Sequence, residues 1–553
     1  MKALQVKPLV TALCLASVST GAFAQLAQNL AIDLKSLSMG NAVTADPPGV
    51  YAIHFNPAGL SKIDGLQTDV QLFMGAFDVK REISAPEGYN VFGYSDDPIV
   101  CRDEPTNPSS LCTEYKVSHS EVEYVSLYVP ILKKIVDLPK GAPVAAPTAG
   151  FAYRPPGSKI TYANAIYAPL AAGFGAEDGN PGNFMGQQVA MERITYLSPS
   201  AAYKINDNLS VGASIGFSYQ AIAMKMDMRT PNELVGVMRL IHEDVCAPFL
   251  ENGNIVTDLL LFGICNAKTS IGPFDTLASM SIAMEQSLSP SYNLGVLWEP
   301  TDDLGFGMVY QSSSKMQLKG KYNLKTGSGA RDLLAGLNSS VTGQILSAIL
   351  GFPSYIPEHE SGMISMPLEY PAHFQVGVKY KIMPNVQVNF DVGWTDNDKW
   401  DKFAIQFDRQ IGALSIAKLL SNNVTNNSVN FPLGLQSSWS WGVGIQYDAS
   451  DRLQLRMGYE PRASAVPENK RNTLIPINNA QLFGMGLTYR FDPDTDIDLT
   501  YAHLRSKDSI PANTSSFANQ TGVGNIIYNP YAGLDIKTHT RVNLLGLAYR
   551  TRW

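Results

Sequence analysis

Very short turns and very long connections alternate along this chain, and this asymmetry limits the folds open to it. The short polar turns lie at residues 154–159, 204–208, 299–303, 381–385, 448–451 and 492–496. The long connections lie near residues 81–146, 170–190, 225–287, 316–368, 398–436, 461–480 and 505–540. Short turns on one side and long loops on the other are typical of bacterial outer-membrane barrels. With both termini on the short-turn side, seven long loops predict an all-β fold, a 14-stranded antiparallel transmembrane β-barrel.

The segments between the turns alternate between apolar and polar residues with a period of two. One face of residues 209–219 carries Leu209, Val211, Ala213, Ile215, Phe217 and Tyr219, and the other carries Ser210, Gly212, Ser214, Gly216 and Ser218. A soluble antiparallel sandwich also alternates, so one segment alone leaves both architectures open. Repetition with large apolar residues on one face and glycine, serine or charge on the other favours lipid outside and a polar interior.

Both ends of the chain indicate export to the outer membrane of a Gram-negative bacterium. Residues 1–24 have the charged start, apolar core and small-residue cleavage site of a signal peptide. At the other end, Leu545, Leu547 and Tyr549 share a face, and the chain stops at the aromatic Trp553. Such an ending predicts recognition by the barrel-assembly machinery. An excess of acidic residues, 49 against 42 basic ones, argues against a nucleic-acid partner.

Four cysteines remain after the predicted signal peptide. Their spacing in an oxidising compartment suggests the bridges Cys101–Cys112 and Cys246–Cys265, although other pairings stay open. The scattered histidines give no convincing zinc spacing, so we expect neither a metal nor a cofactor.

An irregular segment precedes the first expected strand. It contains Gly40-Asn-Ala42, the run 45–49 and Asn56-Pro57-Ala58-Gly59-Leu60, all of which indicate turn-rich backbone. A surface loop is one interpretation. In a barrel, such a segment can instead fold into the lumen, where its polar backbone meets protein and water. On this second interpretation the mature chain consists of an N-terminal hatch, residues 25–65, and a transmembrane β-barrel, residues 66–553.

These motifs, together with several in the barrel, resemble the FadL/TodX family of outer-membrane channels for hydrophobic compounds. The barrel motifs lie at residues 198–204, 208–212, 297–302, 394–396, 455–459 and 465–467. The resemblance implies a fourteen-stranded barrel plugged by a hatch that contains Asn56, Pro57, Ala58 and Gly59. It also implies passive uptake, with capture at the loops, an interior pocket and sideways release into the outer-membrane lipid beneath the lipopolysaccharide. We expect the barrel to be a monomer.

The third expected strand, residues 160–167, runs into a segment containing Pro169, Gly173 and Gly175. Proline and glycine weaken strand pairing. These residues could form the lateral opening that the resemblance implies, or they could simply end the strand.

The third and fourth long loops are unusually apolar for extracellular segments. The candidate groove residues are Leu234, Val237, Met238, Leu259, Leu260, Phe262, Leu333, Leu334, Ile345, Ile349 and Phe352. These residues could simply pack loop helices together, but so much apolar surface favours a substrate groove.

The resemblance favours long-chain fatty acids, whose carboxylate needs a cation. The end of the fifth strand, residues 219–225, has no arginine. The remaining candidates are Lys225, Lys315, Lys319 and Arg456; alternatively, the lysines are solvated and Arg456 pairs with the hatch. This leaves open a channel for aromatic hydrocarbons or an exporter of modified fatty acids.

Other functions agree less well with the sequence. A general porin is disfavoured because the hatch would block the lumen, and no Gly-x-Ser-x-Gly motif supports an enzyme. Residues 122–129 read as a strand inside the first long loop. They could extend the second strand or form a hairpin outside the barrel.

Overall fold

A computed structural model describes residues 28–100, 117–129, 134–139, 144–250, 274–339, 341–418, 421–474, 479–522 and 529–553. The predicted signal peptide lies outside these ranges. The strands are β1 Gln28–Ala31, β2 Gly65–Ser84, β3 Val117–Glu121, β4 Tyr124–Val129, β5 Lys134–Pro139, β6 Val144–Arg154, β7 Ile160–Gly175, β8 Gln188–Leu197, β9 Ser200–Lys204, β10 Leu209–Arg229, β11 Thr276–Trp298, β12 Leu304–Gln311, β13 Ser314–Thr326, β14 His359–Tyr370, β15 His373–Met383, β16 Val386–Thr395, β17 Lys402–Phe407, β18 Ser428–Pro432, β19 Ser438–Ser450, β20 Leu453–Arg462, β21 Ala480–Asp492, β22 Thr495–Ile510 and β23 Asp535–Arg552.

These strands form a closed barrel of fourteen antiparallel wall strands, which confirms the predicted architecture. Five wall strands consist of two consecutive pieces each: β8 with β9, β12 with β13, β14 with β15, β16 with β17, and β18 with β19. The second wall strand consists of β3 and β6, which both pair with β2. The barrel closes where β2 pairs with β23, from Gln67 opposite Arg552 to Ser84 opposite Asp535.

The helices are α1 Leu34–Ser38, α2 Ala52–Phe55, α3 Asn232–Leu240, α4 Ala247–Leu250, α5 Ser328–Asn338, α6 Val341–Leu350 and α7 Gly412–Ala417. Short 3-10 turns cover Gly49–Tyr51, Pro57–Lys62, Pro181–Met185, Asn397–Trp400 and Glu468–Lys470, and a π-helical turn covers Ile241–Cys246. In the described part of the chain, no single helix passes as a membrane span by length and hydropathy, and one pair bent by 114° does so jointly.

The outer wall carries the apolar face that alternation predicts. On β10 and β11 the side chains of Ile215, Tyr292, Leu294 and Trp298 are exposed. Their neighbours Ser214 and Asn293 are buried inside the barrel. The lower part of each wall strand therefore has the polarity of a lipid-facing strand.

Several strands are longer than predicted, so two of the long loops are shorter. β10 runs to Arg229 and β11 starts at Thr276, inside the connection expected at 225–287. β13 runs to Thr326 and β14 starts at His359, inside the connection expected at 316–368. In these extensions the polarity of the two faces is reversed: apolar residues such as Met224, Met226 and Met228 face inward, and polar residues face outward. The reason is that the outer face of the extensions lies beyond the apolar belt of the barrel.

Residues 122–129 do not extend the second wall strand. They contain β4, which forms a hairpin with β5. β4 pairs with β5 from Tyr124 opposite Pro139 to Val129 opposite Lys134. The hairpin lies against the outer face of β7 and β8, where a Cβ at Gly173 would overlap the carbonyl oxygen of Ser126. Glycine at this position allows the two backbones to approach.

Candidate functional site

Residues 28–64, which we call the hatch segment, lie in the lower lumen. Inward-facing glycines of the wall make room for its backbone, because a Cβ at each would overlap a hatch atom. The overlaps join Gly212 to Pro57, Gly295 to Asn56, Gly307 to Thr44, Gly442 to Gly40, Gly458 to Met39, Gly484 to Leu37 and Gly546 to Leu34. The inward glycines seen in the sequence are thus the seat of the hatch segment.

The Asn56-Pro57-Ala58-Gly59 motif fastens the hatch segment to itself and to β11. The Asn56 amide donates to the carbonyl oxygens of Thr44 at 2.8 Å and Val296 at 3.0 Å. Its side-chain oxygen accepts from the Ala58 amide at 3.2 Å and so caps the 3-10 turn that starts at Pro57. Gly59 packs where a Cβ would overlap the Pro47 ring. The structure thus places all four motif residues in the lumen; their predicted gating role remains a prediction.

Charged groups in the lower lumen are satisfied by one another and by the hatch segment. Arg550 lies 2.9 Å from Asp69 and 3.3 Å from Asp498. Arg456 lies 2.8 Å from Asp498 and donates to the Ser38 hydroxyl at 3.1 Å. Arg456 therefore has the hatch-pairing role that the sequence left open, and its charge is already neutralised.

Two titratable residues of the hatch segment are buried away from water. Burial raises the pKa of Asp33 to about 6, while its oxygens accept from the Ser36 amide and the Gln71 side chain. Burial lowers the pKa of His54 to about 3, so its ring is neutral at physiological pH.

The upper lumen is apolar, which corrects the expectation of a polar interior throughout. Its inward side chains come from neighbouring extended strands. They are Ile222, Met224, Met226, Met280, Ile282, Met284, Met316, Leu318, Tyr322, Leu324, Ile364, Met366 and Leu368. In this part of the barrel the polar residues of the alternating pattern face outward, so the apolar ones fill the inside.

An apolar cavity of about 160 Å³ lies at the top of this lumen. It is lined by Leu234 from the third loop, Leu333 from the fourth, and Ile411 and Leu414 from the fifth. A second cavity of about 60 Å³ shares Met226 and Phe431 with it and lies beside Met224. The two cavities give a continuous apolar surface from the loops into the barrel, suited to an apolar molecule.

The predicted groove residues divide into four groups. Leu234 and Leu333 line the cavity. Met238 and Leu334 are buried and Phe352 is half-buried, whereas Val237, Ile345 and Ile349 are exposed. Leu259, Leu260 and Phe262 lie outside the described residues. The contribution of the fifth loop, including α7, was not predicted, because residues 411–431 contain only short apolar runs.

Arg229 is the one charged residue among those that line the larger cavity. Its guanidinium lies 2.7 Å from the buried carboxylate of Asp97 and donates to the carbonyl oxygens of Phe274 and Pro530. The aromatic ring of Phe274 is 4.7 Å away. The positive charge at the cavity is therefore neutralised.

Arg193 is a functional candidate that the sequence did not reveal. It points into the lumen from β8, beside Leu170 and Gln220, and is buried. Its guanidinium lies over the ring of Tyr370, 4.3 Å from the centroid. Among the described residues no carboxylate is within ion-pair distance of it, and its Nη1 has no hydrogen-bond partner. A buried arginine without a carboxylate is a candidate anion site.

The three lysines proposed for the head group do not line the cavities. Lys315 and Lys319 are exposed on the outer face of β13. Lys225 is on the outer face of β10 and lies 3.0 Å from Asp178. The alternating pattern places these lysines outside because Met226, Met316 and Leu318 fill the inside.

A gap in the wall lies between β6 and β7. Their pairing covers only Ala149–Tyr153 and Tyr162–Ile166, after which β7 continues to Gly175 without β6. Pro169 lies in a bulge, and the free edge of β7 pairs with the hatch segment, Gln28 opposite Leu170 and Ala31 opposite Ala168. The strand does not end at Pro169. Gly173 and Gly175 instead contact the β4–β5 hairpin, so the lateral-opening role of these three residues stays a prediction.

Cys246 is buried after α3 and takes part in a disulfide, but Cys265 lies outside the described residues, so their pairing stays a prediction. Cys101 and Cys112 also lie outside those ranges. Within the described ranges, no group of three or more His, Cys, Asp or Glu residues could hold a metal ion.

A family model described as outer membrane protein transport protein (OMPP1/FadL/TodX) matches residues 12–553. Curated relatives include the 47 kDa outer membrane protein of Pasteurella multocida, 26% identical over 42% of this chain and 48% of that protein. The long-chain fatty acid transport protein of Escherichia coli O6:H1 is 22% identical over 39% of this chain and 42% of that protein. The chain thus spans about half the length of the curated relatives it matches.

Solved structures with the same fold cover almost the whole chain. A Pseudomonas aeruginosa FadL homologue aligns with a TM-score of 0.62 and 15% identity, covering 96% of this chain and all of that one. The Pseudomonas putida toluene transporter TodX aligns with a TM-score of 0.56 and 15% identity, covering 94% and 99%. At these identities the likeness concerns the fold alone.

Proposed function

Because the chain belongs to the OMPP1/FadL/TodX family of outer-membrane transport proteins, whose members are channels for hydrophobic molecules and not enzymes, we propose that it takes up long-chain fatty acids passively. The observation that carries this proposal is a lumen that is apolar along its upper part and has an unpaired arginine at its floor. An acyl chain and its carboxylate need these two environments.

Capture takes place at the cavity formed by the third, fourth and fifth loops. An acyl chain gains about 0.8 kcal/mol for each CH₂ group that leaves water. The cavity walls of Leu234, Leu333 and Leu414 supply that environment, and Met226 connects it to the inner cavity. Methionine side chains are flexible, so they adapt to chains of different length.

The carboxylate binds at Arg193. A guanidinium in an apolar lumen strongly favours a carboxylate, because the ion pair replaces water that neither group can keep. His54 is neutral beneath it and does not compete for the anion. Tyr370 holds the guanidinium in place from across the lumen.

The substitution Arg193→Met tests this assignment. Hydrogen bonds to charged groups contribute about 1.5–3 kcal/mol, so oleate uptake should fall about tenfold or more. Arg193→Lys keeps the charge and should retain part of the uptake. Oleyl alcohol has the same chain without the carboxylate, so its uptake should not change. An equal fall for oleate and oleyl alcohol would contradict a carboxylate site.

Release is lateral, through the gap beside Pro169. The gap opens when the hatch segment leaves the free edge of β7, where Gln28 and Ala31 now pair. Asn56-Pro57-Ala58 fastens the hatch segment to β11, so deleting these residues should abolish the oleate uptake that depends on hatch movement. Uptake is measured with radiolabelled oleate in cells that lack their own channel. Unchanged uptake by a correctly assembled deletion variant would exclude gating by the hatch segment.

Aromatic hydrocarbons are the second candidate. The Arg229–Asp97 pair leaves the outer cavity neutral, which suits an uncharged ligand as well as an acyl chain. Toluene uptake without oleate uptake would favour this alternative, and uptake of neither would favour the export of modified fatty acids.

A further inference from the structure

A row of lysines rises along the outer face of β13. Lys315, Lys319, Lys321 and Lys325 are all exposed, and the intervening inward residues Met316, Leu318, Tyr322 and Leu324 are buried. At about 3.3 Å per residue, the row covers about 33 Å of the strand. Period-two alternation therefore puts four cations on one side of one strand.

The row begins where the lipid-facing surface stops. The preceding piece of the same wall strand, β12, exposes Phe306, Met308 and Tyr310 on its outer face. Beyond Tyr310 this wall strand passes through Ser312–Ser314, which are buried or half-buried. Lys315 is the next exposed residue. Because the long-loop side of the barrel is extracellular, the lysines lie at the level of the polar groups of the outer leaflet.

Most of the neighbours of the row are neutral. Opposite Lys321 lie Ala283 and Met363, and opposite Lys325 lie Ser279 and His359. His359 lies 3.6 Å from Glu358. The upper part of the row thus has no carboxylate directly across either neighbouring strand.

The lower lysines have acidic neighbours. Lys315 faces Glu369, with 4.0 Å between the charged atoms. Lys319 faces Ser365 on one side and Glu285 on the other, and Glu285 accepts a hydrogen bond from the Tyr219 hydroxyl at 2.7 Å. Asp178, which is already paired with Lys225, also interacts electrostatically with Lys325. The four lysines of the row therefore face three carboxylates and keep a small excess of positive charge.

We propose that this outer face of β13 is a binding site for the phosphate groups of a phosphorylated glycolipid of the outer leaflet, that is, lipopolysaccharide. Ammonium groups on flexible stems bind phosphate as point charges. Each near-surface lysine contributes about 1 kcal/mol of attraction to an anionic membrane surface. The glycolipid occupies the wall between the apolar belt and the loops and contacts the lysines from outside.

The test measures binding of diphosphoryl lipid A to the whole barrel in detergent micelles. Lys319→Gln/Lys321→Gln/Lys325→Gln should weaken binding at least tenfold. The matched control, Lys159→Gln/Lys204→Gln/Lys381→Gln, removes the same charge near the periplasmic turns and should leave affinity unchanged. Heat-modifiable electrophoretic mobility and uptake of oleate should be normal in both variants.

Two further arms separate the sources of binding. Dephosphorylated lipid A should bind weakly and equally to the wild-type protein and both variants. Inorganic phosphate should compete only poorly, because it lacks the acyl chains that contact Tyr310 and Met308; full displacement by phosphate would indicate an ion site instead. Equal affinity of the wild-type protein and the β13 variant, or an equal loss in the periplasmic control, would overturn the proposal.

Discussion

The upper and lower halves of the lumen are filled by side chains of opposite character. In the lower half, inward glycines and polar side chains hold the hatch segment through many hydrogen bonds, as Asn56 and Arg456 illustrate. In the upper half, methionine and leucine side chains surround cavities, and Arg229–Asp97 is a buried ion pair set among aromatic rings. A dense polar network is suited to a closed plug, and an adaptable apolar lining to passing ligands.

The two halves should respond differently to the loss of a buried carboxylate. Asp97→Asn removes the carboxylate that lies 2.7 Å from the Arg229 guanidinium, and breaking such a buried pair costs about 3–5 kcal/mol. Asp69→Asn should cost only about 1–2 kcal/mol, because Arg550 still contacts Asp498. Denaturant unfolding measures both. Asp96→Asn, at an exposed neighbouring position, is the control for the upper pair, and a larger cost at Asp69 than at Asp97 would break the comparison.

Filling a glycine seat should displace the hatch segment. A side chain at Gly212 would overlap the backbone of Pro57 and Ala58, whereas a Cβ at Gly216 meets only Ser291 and Thr195 at 3.2 and 3.5 Å. Gly212→Val should cost about 1–3 kcal/mol and open a conductance for small ions in planar bilayers.

Gly216→Val is the matched control on the same face of β10 and should stay closed. If both variants conduct equally, the glycine seat is not what keeps the lumen shut.

A polar side chain in the upper lumen should slow uptake without opening the barrel. Met280→Gln puts an amide into the apolar cavity, which costs about 1–3 kcal/mol when the amide lacks partners. We expect oleate uptake to fall severalfold. Met363→Gln changes the same residue type on the outer face of β14, where the side chain is exposed, and uptake should be normal. An equal fall in both would locate the effect outside the lumen.

The smallest effect is expected at the wall gap. Pro169→Ala restores a backbone N–H at the bulge and should narrow the gap slightly, lowering oleate uptake about twofold. Pro367 is exposed on the outer face of β14. The control substitution Pro367→Ala should therefore have no effect on uptake. Faster uptake in Pro169→Ala would mean that the proline restricts the exit.

Much of the wall could be predicted from the sequence because lipid imposes a simple rule on every second residue. The short turns and the alternating segments led to fourteen strands, which the barrel confirms. The hatch segment was visible as an irregular run around Asn56, and the inward glycines as one face of each strand. These features are local, so the sequence displays them directly.

The apolar upper lumen was not predicted because apolar and polar residues keep alternating along the strand, while the apolar face changes from the outside of the barrel to the inside. In the run Met224-Lys225-Met226-Asp227-Met228, the apolar residues face inward because this part of the strand lies beyond the hydrocarbon of the membrane, among polar groups. The sequence therefore predicted that this run belongs to a loop and that Lys225 is a candidate head-group residue. Arg193 gave no signal either, since its isolation depends on which distant strands face it and on the bulge at Pro169.

The pairing of β2 with β23 also sets an order of assembly. The hatch segment immediately precedes β2, yet its wall contacts include Gly458, Gly484 and Gly546, about 400 or more residues later along the chain. The seat of the hatch segment is therefore complete only when β23, the last strand of the chain, has paired with β2 and closed the wall.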